Sequence, residues 1–335
     1  MPTNAPCFSE ILGQEHAKRA LLIAAAGGHN VLLIGPPGSG KTMLARRLTT
    51  ILPTLTAQES LELAANRRTA GLDDTLTPPT ARPFRAPHHT ASMAALCGGG
   101  TKPRPGEVTL AHNGVLFLDV LPEFSTLALD SVAHLVNEGS ISLAAGREHV
   151  VFPSKPLVVG ATSPCPCGYL DTDSPHHTCN CTTDQITRYR SRLKPLIHLI
   201  DLHVFVSPIS HTADTHLPSG FPSDLLRERV MAARNAQAAR LGTARSNADM
   251  TPLEVVQYVA TNKPLIIFIN TIIDQTDLRP PAVLSVLKVA RTIADLAGSP
   301  DVELAHIAEA LNFRIPLFDP PKSQPLTSPL GATTT

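Results

Sequence analysis

Tryptophan is absent from the 335-residue chain, and aromatic residues make up only 4% of it. A protein that held nucleic acid mainly by stacking bases on aromatic platforms would need more of them. Net charge is missing too, since Lys+Arg and Asp+Glu both total 28. A nucleic-acid surface would have to come from local segregation of charge, not from a basic chain. No apolar run approaches the roughly 20 residues that cross a bilayer, which excludes a helical membrane span. The most tempting, Leu265–Ile269 (LIIFI), is far too short and reads as a buried helix face. Lys18-Arg19 followed by ALLIAAAGG mimics a secretory signal, but Glu10 and Glu15 sit in its supposed basic region. Cleavage there would also cut into the phosphate-binding loop that follows. Without a signal, the six cysteines fit a reducing cytoplasm. No Ser/His/Asp arrangement or carboxylate pair supports a different class of enzyme.

What is present is an ordinary globular composition, 43% hydrophobic and 17% charged, long enough for one large core or two medium ones. Ile11–Gly27 has apolar residues at helical spacing and stops at Gly27-Gly28. Asn30–Ile34 predicts a strand, and Lys41–Leu52 and Ser60–Ala70 predict helices. Residues 71–108, rich in Pro, Gly and Thr, predict an irregular or hairpin-containing insert. Gly114–Asp119 reads as a strand, and Thr126–Glu138 as a helix ended by Gly139. Ser140–Ala144 and His149–Phe152 read as a β-hairpin around Ala145-Gly146. Leu157–Thr162 is another buried strand, 164–184 a Cys-rich loop, Ile186–Leu193 a helix and Leu199–Val206 a strand. Beyond the His/Pro/Ser-rich stretch 207–222 the pattern is helical, over 223–241, 251–260, 264–275, 280–297 and 301–313. The Pro/Thr-rich tail 316–335 predicts disorder. Strands alternating with helices predict an α/β fold with a parallel sheet, and the trailing helices predict a small all-α lid domain.

The strongest motif is GPPGSGKT, formed by Gly35, Pro36, Pro37, Gly38, Ser39, Gly40, Lys41 and Thr42. It satisfies G-x-x-x-x-G-K-[ST] between a strand (VLLI) and a helix (MLARRL). Glycines let backbone N–H groups wrap phosphates, Lys41 offers charge to the β/γ-phosphates of ATP, and Thr42 offers a hydroxyl to Mg²⁺. Asp119, closing the apolar run VLFL, is the natural second partner of that Mg²⁺. The next position, where nucleotide hydrolases commonly keep the Glu that activates water, holds Val120.

A second cluster is Cys165, Cys167, Cys179 and Cys181, two C-x-C pairs separated by eleven residues. Four thiolates suit a tetrahedral Zn²⁺, although C-x₂-C is the usual spacing; the alternative is a set of reduced thiols. His176-His177 either replace a ligand or lie on an exposed loop. Cys7 and Cys97 stand alone. Arg82, Arg85, His88 and His89 in RPFRAPHH either face a polyanion or brace the insert against the neighbouring sheet. In RYRSR, Arg188 and Arg192 share a helix face, while Arg190 does not. That face either approaches the nucleotide or a neighbouring subunit, or is simply solvated.

Longer stretches carry a family resemblance. They are FSEILGQEHAKRAL at 8–21, AAAGGHNVLLIGPPGSGKTMLARRL at 24–48, RPFRAPHH at 82–89 and PRPGEVTLAHNGVLFLD at 103–119. PCPCG at 164–168, RYRSRL at 188–193 and VLKVARTIADLAGS at 286–299 complete the set. Together they resemble the magnesium-chelatase-like AAA+ ATPases of the YifB/ComM group, over residues 8–315. The resemblance implies an AAA+ P-loop core with inserted β-hairpins at 11–206, preceded by an extension at 1–10. A linker at 207–222 would lead to a helical lid at 223–315 and a disordered tail at 316–335. It also implies ATP and Mg²⁺, and a hexamer or a hetero-oligomer with an intact homologue. DNA would be the track of a motor driving branch migration; a chelatase role fits less well, because PCPCG and RPFRAPHH belong to the YifB group. The family's N-terminal Lon-like domain is expected to be missing.

The resemblance also exposes departures. The family's LDELPEF stands here as LDVLPEF, which puts Val120 at the water-activating Glu. AAMNPCPCG stands as GATSPCPCG, which puts Ser163 at a sensor Asn. PLLDRIDL stands as PLIHLIDL, which puts Leu199 at the arginine finger, beside a one-residue deletion near Lys194. LSARAY stands as LRPPAV, which puts Pro281 at the second sensor Arg, with Arg279 two residues away. Glu123 is the one candidate for a rescue base. The expectation is a protein that binds Mg·ATP but hydrolyses it weakly or not at all, a degenerate paralogue or decaying gene product. The alternative is an active motor acting on DNA.

Overall fold

The computed structural model describes residues 6–314 apart from 73–77, 101, 146–147, 172–176, 209–220, 243–244, 260–262 and 276–277. The expected tail at 316–335, His176 and most of the expected linker lie outside the described residues. A 3₁₀ turn at Phe8–Glu10 comes first, with Phe8 and Ile11 fully buried. The packed core therefore starts inside the stretch 1–10 expected as an extension.

Helix α1 (Glu15–Gly27) begins at Glu15 rather than Ile11 because Gly13 and Gln14 both adopt positive φ, through which no right-handed helix continues. It stops at Gly28, whose N–H reaches the Ala24 carbonyl from a left-handed conformation. Strand β1 (Val31–Ile34) is buried throughout, as a two-sided parallel strand must be. Next come α2 (Lys41–Leu48), with a 3₁₀ turn at Thr49–Ile51, and α3 (Ala57–Thr69), opened by a Thr56/Glu59 capping box.

The insert contains β2 (Phe84–Arg85), α4 (Met93–Cys97), β3 (Gly98–Gly99), β4 (Arg104–Pro105) and α5 (Glu107–Leu110). Then follow β5 (Val115–Leu118), α6 (Thr126–Glu138), β6 (Ser140–Ala145), β7 (Glu148–Pro153) and β8 (Leu157–Thr162). Helices α7 (Thr183–Ser191) and α8 (Lys194–Ile197) lead into β9 (Leu202–Phe205). Five helices complete the described chain: α9 (Ser223–Leu241), α10 (Pro252–Tyr258), α11 (Lys263–Gln275), α12 (Pro280–Ala297) and α13 (Leu304–Leu311).

The expected parallel sheet is present, in the order β2-β5-β8-β1-β9, and every pairing in it is parallel. Its edge strand β2 comes from the Pro-rich insert and is too short for any periodicity to reveal it. The β6–β7 hairpin pairs Ile141 with Phe152, and those two side chains are its buried face. Run LIIFI is only half-buried: Leu265 and Ile269, four apart, face inward, whereas Ile266 and Ile267 are exposed. The helical part does not own a separate core. Ala20, Leu21 and Ala24 of α1 lie in one continuous buried cluster with Val230 and Ala233 of α9 and Ala290 and Ile293 of α12.

Candidate nucleotide site and cysteine cluster

Strand order puts the C-terminal ends of β5, β8 and β1 side by side, and the functional candidates collect there. The Gly35 N–H donates to the Thr162 carbonyl at 3.1 Å, tying the start of the loop to the end of β8. A Cβ on Gly35 would stand 2.3 Å from the Val206 carbonyl oxygen, so that position excludes every other residue. Gly38 and Gly40 have φ of 79° and 89°, which turns the loop into the N-terminus of α2. Lys41 Nζ donates to the Gly35 and Pro36 carbonyls at 2.7 and 2.8 Å. Burial holds the Lys41 pKa below its usual value, and the Asp119 carboxylate partly opposes this.

Thr42 and Asp119 meet although far apart in sequence: Thr42 Oγ1 donates to Asp119 Oδ2 at 3.3 Å. Asp119 Oδ1 accepts from the Val120 N–H at 2.9 Å. Hydroxyl and carboxylate therefore converge at the mouth of the loop, as a Mg²⁺ site would require. Val120 adopts a left-handed backbone, φ 50° and ψ 50°, costly for a β-branched residue, and its side chain is exposed. Glu123 ends the 3₁₀ turn Leu121–Glu123, with its carboxylate 3.9 Å from Arg192, which also donates to the Pro122 carbonyl. Ser163 follows β8 directly. Tyr189 of α7 hydrogen-bonds to Thr162 and Ser163, and its burial pushes the phenol pKa up.

The other two substituted positions lie elsewhere. Leu199 is buried near the opposite end of β1, where its carbonyl accepts from Asn30 Nδ2 at 2.9 Å. Pro281 is exposed in the first turn of α12, next to Arg279, the N-cap residue. A cavity of about 380 Å³ between α4 and α6, lined by Met93, Cys97, Asp130 and His134, shares no residue with the loop.

In RPFRAPHH the bracing alternative prevails for the arginines. Arg82 is held by Glu59 and by the Pro53 and Asn113 carbonyls, and Arg85 pairs with both oxygens of Glu107 at 2.6 Å. The His88 and His89 rings lie 4.1 Å apart, tilted by 35°, and His89 meets Phe124 edge-on.

Cys165, Cys167, Cys179 and Cys181 are free thiols whose sulfurs all lie within 4.8 Å of one another. The Cys165–Cys167, Cys165–Cys179 and Cys167–Cys179 separations are 3.3, 3.7 and 3.6 Å. A tetrahedron with Zn–S bonds of about 2.3 Å has sulfurs about 3.8 Å apart, so this donor set fits a thiophilic metal in number, chemistry and spacing. His177 stacks on Tyr169 at 4.3 Å.

A buried polar cluster had no motif to announce it. His29 Nδ1 lies 3.1 Å from Asp201 Oδ2 and its Nε2 lies 2.8 Å from Thr292 Oγ1. Asn247 Nδ2 joins Thr292 to Asp295, which also holds Arg240 and Arg291. The polar residues of ARTIAD, at helical spacing inside an apolar helix, were the signal that could have found it.

A parallel α/β sheet in which β1 runs into GPPGSGKT, with a carboxylate from β5, two strands away, at its mouth, is the phosphate-loop class of fold. Residues 7–214 match the family described as magnesium chelatase, subunit ChlI, and residues 220–314 match the C-terminal part of that subunit. The chain belongs to this family. Competence protein ComM of Haemophilus influenzae is 41% identical over 317 residues, 93% of this chain and 60% of the relative. YifB of Escherichia coli is 40% identical, over 92% of this chain and 60% of its own length. YifB of Salmonella typhimurium is 38% identical, over 93% and 61%. The chain thus spans about 60% of the length of these curated relatives. Among the described residues, no helix is long and apolar enough to cross a membrane.

Proposed function

We propose that this chain binds Mg·ATP at Gly35–Thr42 and hydrolyses it slowly or not at all. One contrast carries the reading. Thr42 Oγ1 and Asp119 Oδ2 stand 3.3 Å apart where Mg²⁺ would be held, while the next residue, Val120, can neither accept nor donate a side-chain proton. Binding uses the loop N–H groups and Lys41, whose ammonium would exchange two carbonyl partners for phosphate oxygens. Hydrolysis needs groups this chain does not offer at the matching positions. Losing a general base costs about 10²–10⁴ in rate, and an absent arginine finger about 10³–10⁵. The losses do not add, because the groups serve one transition state. Ser163 retains a hydroxyl able to hold a water, with shorter reach than Asn. Glu123 would have to leave Arg192 to replace the base.

The same reading gives Zn²⁺ to the four cysteines. It divides the chain into a core, now counted from Phe8, and a helical lid beyond residue 222. It places the chain in the cytoplasm and has it assemble as a hexamer or with an intact homologue. The test pairs Mg·ATP titration calorimetry with steady-state hydrolysis by the purified chain. Expected is saturable binding with turnover far below about 1 s⁻¹, the low end of ordinary enzymes. Turnover near that value would sink the proposal and favour an active motor, whose action on DNA would then be measured by strand displacement.

A further inference from the structure

The cysteine cluster and the phosphate loop touch. Gly168 closes the knuckle PCPCG with a φ of 90°, and its N–H donates to the Cys165 carbonyl at 3.0 Å. A Cβ on Gly168 would lie 2.7 Å from Pro37 Cδ and 3.7 Å from Ser163 Oγ. Pro37 belongs to the exposed crest of the loop, so the knuckle backbone forms a wall against that crest. The second pair, Cys179 and Cys181, leads at once into α7, which Thr182 caps by accepting from the Gln185 N–H. Helix α7 then returns to the same place. Tyr189 bonds to Thr162 and Ser163, and Arg190 Nε donates to the Pro164 carbonyl at 3.3 Å. Thr162 in turn accepts the Gly35 N–H. The four sulfurs thus join the two chain segments that buttress the loop from β8 and from α7.

We propose that a thiophilic divalent ion held by Cys165, Cys167, Cys179 and Cys181 clips these segments together and thereby fixes the phosphate loop, so that nucleotide affinity depends on the metal. The inference rests on the metal reading above. Four thiols at these distances attract each other only weakly, and the exposed Cys167 meets the second pair through a thiol contact with Cys179 and a backbone bond to the Cys181 sulfur. Metal–thiolate bonds convert that loose cluster into a fixed one, since their free energy acts as folding free energy. The contact passes to the loop because Pro37 has a locked φ and cannot yield by backbone rotation. A divalent ion with four thiolates carries two negative charges, which by repulsion alone would weaken phosphate binding. Arg190, beside Pro164, offsets part of this charge. The clip therefore predicts the opposite sign from electrostatics alone.

The experiment uses the whole chain as purified, after stripping with a chelator under reducing conditions, and after Zn²⁺ is restored. Zinc content, Mg·ATP affinity and amide exchange are measured on each. Stripping is expected to weaken Mg·ATP by about fivefold or more, and Mg·ATP to tighten zinc binding by the same factor, because coupling between sites is reciprocal. Exchange at Gly38–Lys41 is expected to quicken while that of α12 stays constant, which separates loosening of the loop from unfolding. Gly168→Ala keeps all four thiols, and is expected to retain zinc yet bind Mg·ATP more weakly. A chain that holds zinc but whose loop exchange and affinity ignore its removal, or whose affinity rises, overturns this inference alone. A chain that neither contains nor takes up zinc overturns the metal reading with it. A chain that never binds Mg·ATP defeats the nucleotide reading, while loop exchange still reports on the clip.

Discussion

At the C-terminal end of β1 the polar groups stand open; at its N-terminal end they are spent on one another. The loop end holds Lys41 by two carbonyls and, at 3.5 Å, the Ser39 hydroxyl, and joins Thr42 to Asp119 at 3.3 Å, with Thr42 exposed to solvent. The base end is closed. His29 bridges Asp201 and Thr292, and Ser285 donates to Asp201 at 2.5 Å. Asn30 donates to the Leu199 carbonyl and accepts from Val158, and Arg314 donates to the Ile200 carbonyl. A buried polar network satisfied by its own members specifies and fastens a structure. Here it fastens α12 and the segment after α13 to the sheet. Polar groups whose partners lie within an open loop and at its mouth retain capacity for a ligand. Burial with satisfied partners reads as architecture, and convergence at a solvent-facing loop reads as a site.

Breaking the closed end should have the largest effect. Leu199→Arg would put a cation into a buried site with no carboxylate assigned to it, at a cost of about 3–5 kcal/mol in denaturant unfolding. A cost near zero would mean that the base end is looser than its packing implies, and that a finger could be restored there. At the open end, Lys41→Ala removes a charge-assisted hydrogen bond worth about 1.5–3 kcal/mol, so Mg·ATP affinity should fall about 10- to 100-fold by calorimetry. If affinity is unchanged, the open end is not the nucleotide site.

Acid should act on the closed end. Burial works against the charged form of Asp201, yet the hydrogen bond and charge of His29 and the bond from Ser285 hold its pKa below the usual carboxylate value. A depressed acid contributes stability in full above its unfolded pKa of about 3.9, and that contribution is lost as pH falls through the folded value. Thermal melting should therefore drop below about pH 4, and Asp201→Asn should flatten that limb of the profile. An identical acid limb in the variant would show that other carboxylates control it. The smallest effect is expected from Val120→Glu, at an exposed position. Mg·ATP affinity should move by less than about 0.5 kcal/mol, and turnover should stay below about 1 s⁻¹, because Ser163, Leu199 and Pro281 remain. Full turnover from this one substitution would show that those three positions had been misjudged.

Much of the fold could be read residue by residue. Thr126–Glu138, Leu157–Thr162 and 280–297 have strong periods and clear stops, and their bounds are those observed. Strand β2 could not be read, because two residues carry no period and its pairing with β5 is decided by the sheet edge. The start of α1 was misplaced because Gln14, in a left-handed conformation, looks like any helix residue in the sequence. Run LIIFI reads as a buried helix face, and Leu265 and Ile269 form it, but composition does not tell that Ile266 and Ile267 turn outward.

By itself the sequence determined the phosphate loop, the carboxylate after VLFL, the valine in the next position and the two cysteine pairs. Each is written in contiguous residues whose chemistry follows from their types and spacing. Only the tertiary structure decided that Leu199 is buried, that Arg82 and Arg85 are already paired, that four sulfurs share one small volume, and that Gly168 leaves no room for a Cβ beside Pro37. The last two lie where β8 and β1 end side by side, and the first lies at the opposite end of β1. Which strand ends are neighbours is set by the packing of the whole sheet, and no local stretch of chain encodes it.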